Sequence, residues 1–182
     1  TIEKLIAAGY VYIGMDHFAL PQDELVIAQE NGTLHRNFQG YSTRGYCDLI
    51  GLGVSSIGKV GDNYMQNLKT LPEYYGALDR GELAVHRGLS LTRDDVIRRD
   101  VIQQIMCYGV LDYDKTSERF GIDFRSYFAS ELLALEPMVA DGLAEFTDPG
   151  LRVLPAGRLL LRHLGMAFDA YLASAQAAQQ RF

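Results

Sequence analysis

The alternation of helix-like and strand-like segments over residues 1–60 restricts this chain to few architectures. Residues 1–9 (Thr-Ile-Glu-Lys-Leu-Ile-Ala-Ala-Gly) have the pattern of a helix end stopped by Gly9. A helix already running at Thr1, where no Met stands, suggests a start in mid-architecture, and no charged-then-apolar leader precedes it. Tyr10 to Met15 then alternates aromatic and β-branched residues, as a strand does. Pro21 to Glu30 is helical and ends at Asn31-Gly32. Leu34 to Gly45 is aromatic, basic and glycine-spaced without a period, which suits a functional loop or hairpin. Leu49 to Val60 is a buried-strand candidate whose glycines permit close approach of a ligand. Helix, strand, helix, loop and strand in this order predicts an α/β fold with a parallel sheet.

The pattern changes further on. Leu71 to Leu83 is helical, and Thr92 to Asp95 resembles a capping box with Asp in place of Glu. It opens a helix with Val96, Ile97, Val101, Ile102, Ile105 and Met106 on its apolar face. A short helix over Asp112–Phe120 and a longer one over Asp123–Asp141, broken or kinked near Pro137, follow. Leu143 to Leu154 predicts two strands around the Thr147-Asp-Pro-Gly150 turn, and Ala156 to Gln180 a closing helix. From Ala173 on, the chain is rich in Ala and Gln. Helices, a hairpin and a last helix predict a mainly α, winged-helix-like domain over 89–182, after an α/β part over 1–88.

Composition removes several functions. The chain of 182 residues holds 17 Lys+Arg against 23 Asp+Glu, a formal net charge of −6, which argues against nucleic acid as the main partner. No run is long enough for a membrane span. Two cysteines, Cys47 and Cys107, make no disulfide framework and fit a cytoplasmic protein; each is expected to be a buried thiol. His17, His35, His86 and His163 show no metal-binding spacing, so no metal ligand is assigned. Gly51-Leu-Gly53-Val-Ser-Ser-Ile-Gly58 misses the dinucleotide fingerprint, because its third glycine comes late and no clear helix follows. Glycines that ease a crowded strand explain it better. The arginines from Arg93 to Arg162 are interleaved with carboxylates, which reads as a solvated face with intrahelical ion pairs and not a groove-reading helix. The richest stretch runs from Leu34 to Gly45 and on from Asp48 to Ile57. It joins polar side chains, aromatics and glycines ahead of a strand, as a site for a polar ligand requires, though a long structural hairpin has the same composition.

Several motifs occur in one order: Tyr12-Ile-Gly-Met-Asp-His-Phe-Ala19, His35-Arg-Asn-Phe-Gln-Gly-Tyr41, Asp48-Leu-Ile-Gly-Leu-Gly-Val-Ser-Ser-Ile57, Gly61-Asp-Asn-Tyr-Met-Gln-Asn67, Leu91-Thr-Arg-Asp-Asp95, Ile97-Arg-Arg-Asp-Val101 and Gly157-Arg-Leu-Leu-Leu-Arg162. Together they closely resemble the C-terminal part of the oxygen-independent coproporphyrinogen III oxidases, radical S-adenosylmethionine enzymes of haem biosynthesis. Haem-handling relatives tend to carry His-Asn-x-x-Tyr-Trp near this place, whereas this chain has His35-Arg-Asn-Phe-Gln-Gly-Tyr41 and no Trp. The resemblance implies the last strands and helices of an incomplete radical-SAM α/β barrel, then a helical C-terminal domain. It implies oxidative decarboxylation of two propionates of coproporphyrinogen III to vinyl groups, giving protoporphyrinogen IX, through a [4Fe–4S] cluster and S-adenosyl-L-methionine. Ile57, Phe38 and Gln39 match positions at the cofactor. Arg36 and Arg44, from their place in the loop, are candidates to pair with substrate propionates, since a guanidinium fork suits a carboxylate. The family's Cys-x3-Cys-x2-Cys is not in this chain, so it is expected to carry no catalytic residue, to need the N-terminal barrel half as partner, and to be inactive alone. The alternatives are a haem-handling radical-SAM homologue and a free-standing winged-helix interaction module.

Overall fold

The computed structural model describes residues 2–172. In chain order these form α1 (Ile2–Ala7), β1 (Val11–Gly14), β2 (His17–Ala19), α2 (Glu24–Glu30), β3 (His35–Asn37), β4 (Gly40–Ser42), β5 (Ile57–Val60) and β6 (Asn63–Asn67). Then come α3 (Leu71–Asp79), β7 (Val85–Ser90), α4 (Arg93–Tyr108), β8 (Val110–Asp112), α5 (Tyr113–Phe120), α6 (Phe124–Tyr127) and α7 (Ala129–Ala140). The hairpin β9 (Ala144–Thr147) and β10 (Gly150–Val153), a 3-10 turn (Gly157–Leu160) and α8 (Leu161–Met166) follow. They divide into two compact units, one of residues up to Gly45 with those from Ile97 on, the other Tyr46–Val96.

The fold is a mixture of helices and small sheets, and its strand pairing corrects one expectation. Among the described residues every named pairing is antiparallel: β1–β2, β3–β4, β5–β6–β7 and β8–β10–β9. The first two are hairpins with connections too short for a parallel crossover. The helix expected over Pro21–Glu30 begins later, at Glu24, because Asp23 caps α2 by accepting from the Leu25 N–H at 2.9 Å, and Asn31 ends it as expected.

In the larger unit the main core lies under α4. Ile97, Val101, Ile105 and Met106 from its apolar face meet Leu111, Phe124, Phe128, Leu135, Leu151, Leu164 and Phe168. Tyr113 and Phe124 stack at 4.4 Å, and Phe128 lies 4.8 Å from Phe124 and 5.4 Å from Phe168. The helix expected over Asp123–Asp141 is divided at Phe128, whose φ of −109° and ψ of 28° are not helical, and α7 runs through Pro137. Pro137 stands in the last turn of α7, so the helix has only three more residues to run beyond it. The closing helix expected over Ala156–Gln180 is divided among the described residues: the 3-10 turn ends at Leu160, at φ −116° and ψ 20°, and α8 stops at Met166, while residues 173–180 lie outside the described residues.

The smaller unit holds the β5–β6–β7 meander, with α3 between its last two strands. The expected buried strand over Leu49–Val60 shrinks to β5; Leu49 meets Lys59 in an isolated bridge, while Ile50 and Leu52 are exposed, Leu52 by 82%. The chain turns there at Gly53 (φ +95°) and Ser55 (φ +56°), and the Asn67 amide donates to the Gly51 and Gly53 carbonyls at 2.9 Å. A Cβ on Gly58 would come within 2.8 Å of the Leu49 carbonyl, so this glycine permits backbone to approach backbone.

Candidate functional site

The glycine-spaced segment before Gly45 is the hairpin β3–β4, with Phe38 and Gln39 at its tip. Asn37 shapes that tip by accepting the Gln39 N–H on its side-chain oxygen at 2.8 Å. Phe38 is 60% exposed and Gln39 is exposed as well. The tip therefore presents an aromatic face and a carboxamide with both donor and acceptor.

The hairpin base is held by the second half of α4. The Gln103 carboxamide accepts the Arg36 N–H at 2.9 Å and donates to the Arg36 carbonyl at 2.5 Å. The Tyr41 hydroxyl donates to the Met106 carbonyl at 2.9 Å, and the Tyr108 hydroxyl to that of Leu34 at 2.7 Å. Gln29 of α2 donates to the Cys107 carbonyl and to the Ile13 carbonyl of β1, both at 2.8 Å. A helix leaves its last four carbonyls without intrahelical partners. Here three of them are satisfied, Ile105 by the Gly109 N–H and Met106 and Cys107 by side chains remote in sequence.

The β1–β2 hairpin packs on the same base. The His17 ring stands edge-on to Tyr41 at 5.1 Å, with its Nδ1 2.8 Å from Asp16 Oδ1. A Cβ on Gly14 would collide with the Tyr41 hydroxyl, and one on Gly40 would come within 3.2 Å of His17 Nε2, which explains the glycines in both motifs. Tyr12 lies 5.0 Å from Phe18, under the Arg158 guanidinium at 5.4 Å, and donates to the Met15 carbonyl at 2.8 Å.

Burial sets the protonation of this base. It pushes the Tyr41 hydroxyl up to about 12, the Cys107 charge adding to it and the Arg36 guanidinium opposing it. Burial likewise pushes the Cys107 thiol up to about 12 against the pull of Arg36. Both groups stay protonated near neutral pH, Tyr41 as a donor and Cys107 as an unreactive thiol. Burial also raises Tyr12, with Arg158 acting against it.

The site residues expected from sequence fall in three places. Phe38, Gln39 and Arg36 share the hairpin. The Arg36 guanidinium rests over Tyr41 at 5.5 Å, and its buried Nε has no hydrogen-bond partner. Arg44 lies exposed beyond β4, its N–H donating to Ser42 Oγ at 3.0 Å. Ile57 is half-buried at the start of β5, paired with Gln66, in the other unit. Gln103 is not found by sequence reasoning, because the helical pattern of its segment marks only the apolar positions. Tyr41 lies inside a family motif with no role assigned from sequence, and the sequence offers His17 only as a structural hydrogen-bonder at a strand end. Of the cysteines, Cys107 is buried as expected, whereas Cys47 is exposed in the turn region after the hairpin, where no packed element covers it. No group of three or more His, Cys, Asp or Glu able to hold a metal occurs among the described residues. The two cysteines do not fit a [4Fe–4S] cluster, which takes its ligands from more thiolates. No helix among the described residues is long and apolar enough to cross a membrane.

Comparison with known proteins extends this geometry. Residues 91–160 match the family model described as the HemN C-terminal domain. Over 182 residues the chain is 54% identical to the oxygen-independent coproporphyrinogen III oxidase of Pseudomonas aeruginosa, and over 180 residues 49% identical to that of Escherichia coli K12. These alignments take in 100% and 99% of this chain but 39% of each relative, so the chain spans about two fifths of their length. The solved Escherichia coli coproporphyrinogen III oxidase (HemN), described as a radical SAM enzyme, matches with a TM-score of 0.89 and 49% identity over 93% of this chain and 39% of its own.

Proposed function

Because the chain carries a HemN C-terminal domain and belongs over its whole length with the oxygen-independent coproporphyrinogen III oxidases, we propose that it is the C-terminal part of such an oxidase. The carrying observation is the unbroken match to an oxidase from end to end, hairpin included. The proposed reaction of the whole enzyme is oxidative decarboxylation of two propionates of coproporphyrinogen III to vinyl groups, giving protoporphyrinogen IX in the cytoplasm.

We propose the division of this part into the end of an incomplete radical-SAM barrel over 1–88 and a winged-helix-like domain over 89–182. The family match from residue 91 supports the boundary. The order α4, β8, α5, α6, α7, β9, β10, with β10 between β8 and β9, supports the second name. When bound, a [4Fe–4S] cluster and S-adenosyl-L-methionine supply the radical chemistry. The cluster ligands must come from the preceding barrel half, the partner this part requires. Within this chain, Phe38 and Gln39 at the hairpin tip are the cofactor candidates of the larger unit, and Ile57, an apolar side chain at the start of β5, is the candidate of the smaller one. Arg44, solvent-facing, is better placed to take a substrate propionate than Arg36, whose guanidinium lies on Tyr41.

The test is anaerobic reconstitution of the full-length protein containing this chain. It should convert coproporphyrinogen III to protoporphyrinogen IX in a reaction dependent on S-adenosylmethionine, and the chain alone should not. Haem binding without decarboxylation would favour a haem-handling homologue instead.

A further inference from the structure

We propose that Gln103 is a positioning residue through which the helical domain sets the Phe38–Gln39 tip for cofactor binding. The proposal rests on the cofactor reading of that tip. A three-pair hairpin with a two-residue tip is short, and isolated hairpins of this size are marginal in water. Something else must hold this one. The Gln103 carboxamide bonds both the N–H and the C=O of Arg36, as a neighbouring strand would, one residue before Asn37 begins to shape the tip. Its acceptor oxygen also receives the Cys107 thiol at 3.4 Å, which fixes the orientation of the amide. The Tyr41 and Tyr108 hydroxyls attach the other strand and the hairpin entry to the same helix. A rigid helix thus defines where the tip sits, and a preorganised tip binds without first losing conformational freedom. No atom of Gln103 needs to touch the cofactor for this effect.

The experiment compares Gln103→Leu, which removes both bonds, with Gln103→Glu, which keeps the shape and the acceptor but loses the donor, in the reconstituted full-length enzyme. Gln104→Leu is the control. Gln104 stands next on the helix, but bonds Asp100 and Thr116 instead of the hairpin. Three quantities are read: amide exchange over residues 35–42 without cofactor, the KM for S-adenosylmethionine, and kcat at saturation. Both Gln103 variants should exchange faster in the hairpin and raise KM about tenfold with kcat little changed. Gln104→Leu should leave hairpin exchange and KM as they were, even if it lowers the melting temperature. Unaltered exchange in Gln103→Glu overturns the proposal. So does faster exchange with unaltered KM while Gln39→Ala raises KM. If Gln39→Ala itself leaves KM unchanged, the cofactor reading of the tip has failed, and the role assigned to Gln103 falls with it.

Discussion

Tyr41 shows how one side chain can couple a hairpin to a helix end and to pH. Its hydroxyl must stay protonated to donate to the Met106 carbonyl, and burial assures that by pushing it from 10.0 to about 12. Cys107, one residue along the helix, moves from 9.0 to about 12 for the same reason. In the unfolded chain these protons leave first as pH rises, so the stability they hold is complete below pH 9 and falls between about pH 9 and 12. Each group can contribute a slope of at most about 1.4 kcal/mol per pH unit. Denaturant titrations across that window should show stability falling steeply in the parent and less steeply in Cys107→Ala. At neutral pH, Tyr41→Phe should cost about 1 kcal/mol, the loss of one hydrogen bond that leaves a carbonyl unpaired. A parallel pH profile in Cys107→Ala would contradict the burial argument.

At the scale of elements, α2, α4, α5 and α6 begin where short polar side chains supply oxygen to exposed N–H groups. Thr92 and Asp95 exchange such bonds at 2.8 and 3.2 Å, making the capping box with Asp in the Glu position. Asp112 caps α5 by accepting the Lys115 N–H at 3.0 Å, and that bond, first among several, holds its carboxyl below the usual range. Asp112→Ala should destabilise the larger unit by about 1 kcal/mol and Asp112→Asn by much less, as read from denaturation midpoints. Arg98, Arg119 and Arg152 pair between elements, where the sequence spacing suggested pairs within helices. Arg98 of α4 meets Glu131 of α7 at 2.8 Å, with Phe128 beneath the guanidinium, and Arg152 of β10 meets Glu145 of β9 at 2.7 Å. The Arg98–Glu131 pair is mostly buried, so Glu131→Ala, which strands a buried cation, should cost about 3 kcal/mol. The exposed Arg152–Glu145 pair should give under about 1 kcal/mol when broken.

Taken whole, the molecule depends on one aromatic and aliphatic core beneath α4 and on a smaller cluster around Ile13, Val26 and Leu34 that includes Cys107. Phe124, 1% exposed and in ring contact with Tyr113, Phe128 and Phe168, sits at the centre of the first. Phe124→Ala should cost about 3–5 kcal/mol, visible as loss of cooperative melting. Much of this was legible beforehand: local stop signals at Gly9 and Asn31, the Thr92–Asp95 box and the apolar face of α4 each lie within a few neighbouring residues. The ordered motifs also pointed to the relatives that the chain matches from end to end, because many short signatures in one sequence are specific even when each is weak. Strand direction, the exposure of Cys47 and Leu52, and the grip of Gln103 on Arg36 were not legible. That grip joins residues 67 apart in the chain and has no periodicity to read. By itself, then, the sequence determined the kind of protein, its element types and where many of them begin and end, since those follow from neighbours along the chain. Only the tertiary structure decided which strands pair and what holds the hairpin tip, because unsatisfied polar groups and apolar surface find their partners in space, at distances along the chain that no local pattern records.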